Sequence, residues 1–482
     1  MNRREFLITT TAAGVAFSVL GMGRLLPKQK PNFLFILVDD LGWSDLSCYG
    51  SKFYDTPNID GLAKESMKFT DAYAACPVCS PSRASILTGK YPARLGLTDY
   101  IPFSPNAQNW RNKPLIPAPF KEELPLSEVT IAESLKQDGY STFIAGKWHL
   151  GKDPKFWPEH QGFDINKGGW AAGRPTGKGK YFTPYGNPRL EDGPAGEYLP
   201  ERLSDETVKF IKQHKESPFF AYLSFYSVHI PLMTRKDLEQ KYEKKKEDMG
   251  LKDKWGQEGD NKVRLVQDVP VYAGMVSAVD TACGKVLDTL QQLGLEDNTI
   301  IFFMSDNGGL STAQGYPTSN MPLRGGKGWL YEGGIREPLL VRWPGVTKPG
   351  SVCSEPVTGT DFYPTILEMA GLQVKADNHI DGKSWVPLLK GKKMQRGPIY
   401  WHYPHYGDQG SSPASAVRDG DWKLILWYEG NRRELFNLKD DIGEQNNLVD
   451  KEPEIAEKLY NELQVWLKKM DAKIPVPNPN VK

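Results

Sequence analysis

Polar residues with chemical potential stand immediately after short apolar runs in this chain. Asp39 and Asp40 follow FLFILV (33–38), Lys147 and His149 follow TFIA (142–145), His229 follows FFAYLSF (219–225), and Asp306 and Asn307 follow TIIFFM (299–304). Asp39, Asp40, Asp306 and Asn307 are hard oxygen donors without any Cys/His spacing of the zinc type beside them. Such a set suits Ca2+ or Mg2+, with Ca2+ favoured because it accepts irregular, ligand-rich coordination. Each cluster alone could be a cap or a turn. Together, at the ends of four strands of an open α/β sheet, they would converge on one pocket, because ligands bind beyond the carboxyl ends of such strands.

A further constellation lies in CSPSRASILTG (79–89). Pro81 and the apolar Ile86 and Leu87 predict a helix opening close to Cys79, and a helix start favours negative charge. Arg83 stands four residues on, one turn along the same face. Cys76 and Cys79 form a C-x-x-C, but no second pair and no thioredoxin context support zinc or redox use. A thiolate phosphatase would want a longer Cys-to-Arg loop and no metal carboxylates. Cys48, Cys283 and Cys353 read as core residues, and the odd total of 5 cysteines leaves at least one thiol unpaired and excludes a disulfide scaffold.

The elements that must position these groups follow from the pattern. The apolar runs, with 339–341 added, read as buried parallel strands, and helical stripes lie between some of them, at 129–137 and 272–293. The alternation predicts an α/β, doubly wound, mostly parallel sheet covered on both faces. Residues 237–262 are dense in Lys, Glu and Asp and read as a solvated insertion. After about residue 395 the texture becomes aromatic and turn-rich. Alternation around Asp-Gly predicts a hairpin over 416–427, and 453–469 a helix. The reading is a catalytic domain over 31–395 and a smaller C-terminal α+β subdomain over 396–482, ending in a loose tail, PVPNPNVK. At 482 residues with 39% hydrophobic content the chain can bury a large core. Its 60 Lys and Arg against 59 Asp and Glu argue against a general nucleic-acid or polybasic membrane binder.

The first 30 residues read as an address. Arg3 and Arg4 precede Phe6, Leu7 and an apolar Thr/Ala/Gly-rich stretch, which resembles a bacterial twin-arginine export signal. Beyond it no apolar run reaches the roughly 18 residues a spanning helix needs. The expectation is an exported protein, periplasmic or extracellular, with no stable membrane span in its mature form.

The stretch 79–89 resembles the signature of the type I sulfatases of the alkaline-phosphatase superfamily, C-x-P-S-R-x-x-x-L-T-G, at every specified position. GKWHLG (146–151), the His229-Ile-Pro231 triplet, SDNGG (305–309), LRGGKGWLYEGGIREP (323–338) and ELFNLKDDIGEQNNL (434–448) are similar to that family in the same order, over nearly the whole chain after the leader. The resemblance implies an alkaline-phosphatase-like fold and conversion of Cys79 to formylglycine by a separate maturation enzyme. It implies that one hydroxyl of the aldehyde hydrate attacks sulfur and the other expels sulfate by regenerating the aldehyde. Asp39, Asp40, Asp306 and Asn307 would hold the metal together with residue 79, and Arg83 would fix the hydrate. Lys147 and Lys327 would contact the sulfate oxygens. His149 would take a proton as the sulfated intermediate breaks down, and His229 would protonate the leaving alcohol.

The substrate implied is a sulfated carbohydrate, as in polysaccharide degradation. Residues 181–198 look most like exported bacterial sulfatases acting on galactose or N-acetylgalactosamine sulfates. His402 or His405, within an aromatic stretch, could contact a ring hydroxyl. Two other functions compete: a phosphatase or phosphonate monoester hydrolase of the same superfamily, and a non-catalytic protein that binds sulfated glycans. The complete Lys/His set favours sulfate, and the presence of the Cys and every metal ligand favours catalysis.

Overall fold

The strand Asn32–Val38 (β1) is apolar at nearly every position because both its faces are covered. Phe33, Phe35 and Leu37 enter one core, and Leu34, Ile36 and Val38 enter the other. The computed structural model describes residues 30–102, 110–373 and 381–481, so the export reading falls outside the described residues. Residues Pro31–Lys482 gather into one compact unit.

The central sheet continues with Met67–Tyr73 (β2), Ser141–Gly146 (β3), Ile165–Lys167 (β4), Phe219–Ser224 (β5), Thr299–Ser305 (β6), Arg336–Arg342 (β7), Val352–Cys353 (β8) and Val357–Thr358 (β9). Its order is β8-β2-β7-β6-β1-β5-β3-β4, with β9 also on β2. All pairs are parallel except those of β7, which runs antiparallel to both β2 and β6. The expectation of a parallel strand at 339–341 is thereby corrected. A buried apolar run carries no direction of its own. Strand β2 escaped the sequence pattern because its Lys68, Thr70 and Asp71 are only half-buried.

The helices Pro57–Glu65 (α1), Leu199–Gln213 and Pro270–Gln292 contribute to one core, and Cys79–Thr88, Ile131–Gln137 and Phe362–Met369 to the other. Helix Ile131–Gln137 starts at a full capping box between Thr130 and Glu133. The charged segment expected to be a solvated insertion is a helix, Lys236–Asp248, followed by a hairpin of Trp255–Glu258 and Asn261–Arg264. Its one buried helical residue, Tyr242, packs edge-on against Phe53.

The strands Ile399–Tyr403, Ala414–Asp419, Trp422–Trp427 and Arg432–Asn437 form a separate antiparallel meander. Its alternating side chains serve two cores. Trp401, Tyr403, Ile425 and Trp427 pack with Tyr73, Leu330 and Ile335 of the main body. Val417, Leu424, Leu426 and Leu435 pack with the helix Pro453–Lys469. The tail is pinned rather than loose. Val476–Pro477 pairs with Leu115–Ile116, and the Asn478 amide donates to the Lys113 carbonyl at 2.9 Å. Among the described residues no helix is long and apolar enough to cross a membrane.

Trp401 joins the two sheets, stacking edge-on with Tyr73 and donating its indole N–H to the Ala74 carbonyl at 2.8 Å. Trp401→Ala should therefore destabilise the protein by about 3–5 kcal/mol, the usual range for a buried Trp. The measurement is the thermal unfolding midpoint, and an unchanged midpoint would show that the meander is not held by this contact.

Candidate active site

Three carboxylates meet where β1 and its neighbour β6 end. The chain leaves β1 with the Asp39 N–H bonded to the Ser227 carbonyl at 3.0 Å, and the Asp306 N–H bonds the Val38 carbonyl at 3.1 Å. Asp40 takes a left-handed backbone conformation, φ 61°, which is uncommon for a non-glycine residue. Its N–H donates to Asp306 Oδ1 at 3.2 Å. Asp39, Asp40 and Asp306 are buried, and a ligand oxygen from each lies within 4.8 Å of those of the other two. The Asn307 amide N–H donates to Asp40 Oδ1 at 2.8 Å.

Like charges this close and this dry are tolerable only with compensation. Lys147 Nζ lies 2.7 Å from Asp39 Oδ2, Lys327 Nζ 2.7 Å from Asp40 Oδ1, and Arg83 Nε 2.8 Å from Asp306 Oδ2. Burial pushes Asp39 well above the usual carboxylate range against the pull of Lys147, with the Asp306 and Asp40 charges adding to the rise. Burial acts on Asp40 too, but Lys327 and His229 together hold its carboxyl below the usual range. For Asp306, Arg83 and Lys147 overcome burial and lower it. Asp40 and Lys327 stabilise each other's charge: burial opposes the ammonium, yet the neighbouring carboxylate raises it.

Cys79 is the first residue of the helix Cys79–Thr88, whose every residue is buried and which closes on Gly89 in the left-handed conformation. Arg83 lies one turn on, as the spacing predicts. Its guanidinium reaches Asp306, the Ser224 hydroxyl at 2.7 Å and the Lys147 carbonyl at 3.1 Å, and Nη2 is 3.7 Å from Asp39 Oδ1. Arg83 thus ties the helix to the ends of β3, β5 and β6.

His149 faces Cys79, with Nδ1 3.3 Å from Sγ, while Nε2 meets the Ile101 carbonyl at 2.6 Å. A carbonyl only accepts, so Nε2 carries the proton and Nδ1 presents a lone pair to residue 79. Burial, then Lys147 and Arg83, push the imidazolium well below its ordinary range, so the ring is neutral. His229 is fixed the other way round. Its Nδ1 bonds the Ile230 carbonyl at 2.8 Å, and Nε2 lies 3.6 Å from Asp40 Oδ2. Burial and Lys327 push it down to about 3.

Asp39 Oδ1 and Asn307 Oδ1 are buried without a hydrogen-bond partner, an expensive state for oxygens that nothing coordinates. Oxygen donors alone, three anionic and one neutral, fit a hard divalent cation.

The structure brings Asp39, Asp40, Cys79, Arg83, Lys147, His149, His229, Asp306, Asn307 and Lys327 into one connected set. His402 and His405 do not join it. His402 bonds the Ser415 hydroxyl at 2.7 Å and the Lys473 carbonyl at 3.0 Å. His405 bonds the Thr98 hydroxyl at 2.8 Å and packs on Phe120. Both rings are buried. Packing against the fold therefore replaces the expected contact with a sugar hydroxyl. Sequence reading missed the Ser224 hydroxyl and the Ile101 carbonyl, since a backbone acceptor leaves no mark in side-chain type. It also missed Gly173. A Cβ there would lie 2.3 Å from His149 Cε1 and 2.6 Å from Nδ1.

The family model described as Sulfatase matches residues 31–372, and that described as N-sulphoglucosamine sulphohydrolase, C-terminal, matches residues 326–473. The chain belongs to the sulfatase family. It is a type I sulfatase, a sulfuric ester hydrolase. A protein named Sulfatase from Formosa agariphila is 34% identical, covering 92% of this chain and 90% of that protein. Human N-acetylgalactosamine-6-sulfatase is 35% identical, covering 86% of this chain and 75% of its own length. Among solved structures, Ps i-CgsB in complex with k-i-k-neocarrahexaose aligns with a TM-score of 0.74 at 31% identity, covering 91% of this sulfatase and 93% of that chain.

Gly173→Ala should push the His149 ring away from residue 79 and lower kcat by about ten- to a hundredfold, as displacements near 1 Å do, with the thermal midpoint little changed. Steady-state kinetics with an aryl sulfate check this. Wild-type turnover in the variant would remove His149 from the reaction.

Proposed function

We propose that this sulfatase is exported and removes sulfate from sulfated carbohydrates, galactose or N-acetylgalactosamine sulfates foremost, using Cys79 converted to formylglycine. The observation that carries the reading is the His149 Nδ1 lone pair 3.3 Å from the side chain of residue 79, at a buried helix start braced by Arg83. Asp39, Asp40, Asp306 and Asn307 would hold a divalent cation, Ca2+ in preference to Mg2+, which when bound polarises a sulfate ester and favours an ionised oxygen at residue 79. Lys147 and Lys327 supply the positive charge that binds the sulfate oxygens. Arg83 keeps the helix start in register with the carboxylates. His149, neutral and with its proton fixed on Nε2, accepts a proton at Nδ1 from residue 79. His229, with one proton fixed on Nδ1 by Ile230, takes a second from solvent at Nε2 and gives that one to the departing oxygen.

The preference for carbohydrate rests on the relatives, one named for N-acetylgalactosamine-6-sulfate and one solved with a neocarrahexaose. It also rests on the leader-like first 30 residues, since export places the enzyme where such polymers occur. The C-terminal segment borders the loop that orients His149. Tyr100 donates to Asp408 at 2.9 Å, Tyr403 to Asp99 at 3.1 Å, and His405 meets Thr98. Burial, with the Asp408 charge adding to it, raises Asp99 to about 8.

A panel of sulfated mono- and oligosaccharides beside a chromogenic aryl sulfate and a phosphate monoester tests the proposal. Efficient release of sulfate from a galactose or N-acetylgalactosamine ester is expected; turnover of the aryl ester alone would overturn the carbohydrate reading. Mass spectrometry of the peptide containing residue 79 should find an aldehyde in place of the thiol, and Cys79→Ala should abolish turnover with the fold intact. A fully active protein with an unmodified thiol would sink the formylglycine assignment.

A further inference from the structure

Lys327 sits in the glycine-rich stretch 323–335, and something must hold that stretch while Lys327 engages Asp40. The main body supplies part of the answer. The Lys327 N–H bonds the Gly309 carbonyl at 3.1 Å, and the Gly328 N–H bonds the Pro77 carbonyl at 2.9 Å, two residues before the nucleophile. The stretch is also folded tightly on itself. Gly333 N–H bonds the Arg324 carbonyl at 2.8 Å, and a Cβ on Gly334 would lie 2.0 Å from the Trp329 carbonyl oxygen and 2.4 Å from that of Gly326. The Gly334 carbonyl in turn receives the Gly308 N–H at 3.1 Å, next to Asn307. A shift of the end of the stretch is therefore carried to Lys327, which lies inside it.

Both ends of the stretch are gripped by Glu444, which lies in the motif 434–448 and plays no part in the chemistry described so far. Arg324 Nη1 donates to the Glu444 carbonyl at 2.9 Å, and the Glu332 N–H donates to Glu444 Oε2 at 2.6 Å. Glu444 is itself fully buried and is held by Lys423 Nζ at 2.8 Å, which also meets Glu332 Oε1 at 2.8 Å. Glu332 Oε2 accepts from Tyr73 at 2.7 Å, and Arg336 and Arg418 both pair with Asp71 beside it. Three cations and three carboxyl groups are thus gathered between the central sheet and the meander. Such a network adds little net stability for its desolvation, but it fixes register strongly, since any displaced member leaves a buried charge unpaired.

We propose that Glu444, locked by Lys423, is a positioning residue for Lys327, so that the C-terminal sheet completes the sulfate-binding side of the active site. The inference rests on the sulfatase reading of Lys327. The test is a double-mutant cycle of Glu444→Ala with Lys327→Ala, read as kcat/KM on an aryl sulfate alongside thermal midpoints. Glu444→Ala alone should lower kcat/KM by about ten- to a hundredfold. Glu444→Gln, which keeps an acceptor for the Glu332 amide, should recover most of it. In the Lys327→Ala background, Glu444→Ala should cost no more than about twofold further, because the residue it positions is already gone.

Equal losses in the two backgrounds, or no loss from Glu444→Ala at all, would overturn the proposal and leave Glu444 a general stabiliser. Should Glu444→Ala not fold, Glu444→Asp, which draws the carboxylate back by one methylene, must show the same masking by Lys327→Ala. An inactive Lys327→Ala with hydrogen exchange at 325–334 unchanged in the Glu444 variants would likewise overturn it. A wild-type enzyme inactive on every sulfate ester would instead refute the reading of Lys327 and the sulfate site.

Discussion

The constraint on which this structure depends is electrostatic: Asp39, Asp40 and Asp306 are buried together, with oxygens within 4.8 Å of one another. Three carboxylates in so dry a place would neutralise or swell apart unless positive charge came with them. Arg83, Lys147 and Lys327 bring it from three different parts of the chain, one to each carboxylate. The strand order makes this possible. β1 lies between β6 and β5, and β3 lies next to β5, so adjacent strand ends deliver Asp39, Asp40, Asp306, Lys147 and the Ser224 hydroxyl to one place. The helix bearing Cys79 and Arg83 is then clamped across those ends.

The charge count also explains why the cluster suits anion chemistry. With all three carboxylates ionised, as cation binding requires, they balance the three cations. A divalent cation would leave the site with net positive charge, which an anionic sulfate ester would offset. The two histidines add direction rather than charge. Their protons are pinned by the carbonyls of Ile101 and Ile230, which leaves one defined nitrogen on each facing the site. The C-terminal meander belongs to the same design, because its buried charges hold the stretch that presents Lys327.

Most of the site was legible in the sequence because its residues sit at strand ends, where an apolar run of the sheet core stops abruptly at a charge. Val38 to Asp39 is such a transition, Met304 is followed by Ser305 and then Asp306, and the four-residue step from Cys79 to Arg83 gives the helix face directly. The direction of β7 was not legible, since Leu339, Leu340 and Val341 look alike in a parallel and an antiparallel neighbour. His402 and His405 misled for a related reason. An aromatic, His-rich stretch reads the same whether it lines a pocket or fills a core, and only the Ser415, Lys473 and Thr98 partners distinguish the two. Glu444 was visible as part of a motif, but its work depends on the Arg324 side chain and the Glu332 amide, more than a hundred residues away.

The buried carboxylates Asp39, Asp40 and Asp306 are proposed to hold a divalent cation. Calorimetric titration of Ca2+, and separately Mg2+, into chelator-stripped protein tests it most directly, with Asp306→Ala as the comparison and no dependence on turnover. One cation per chain should bind saturably, Ca2+ more tightly than Mg2+, raising the thermal midpoint of the wild type, and this binding should be lost in Asp306→Ala. Absence of binding to the wild type, or equal binding by the variant, would contradict it.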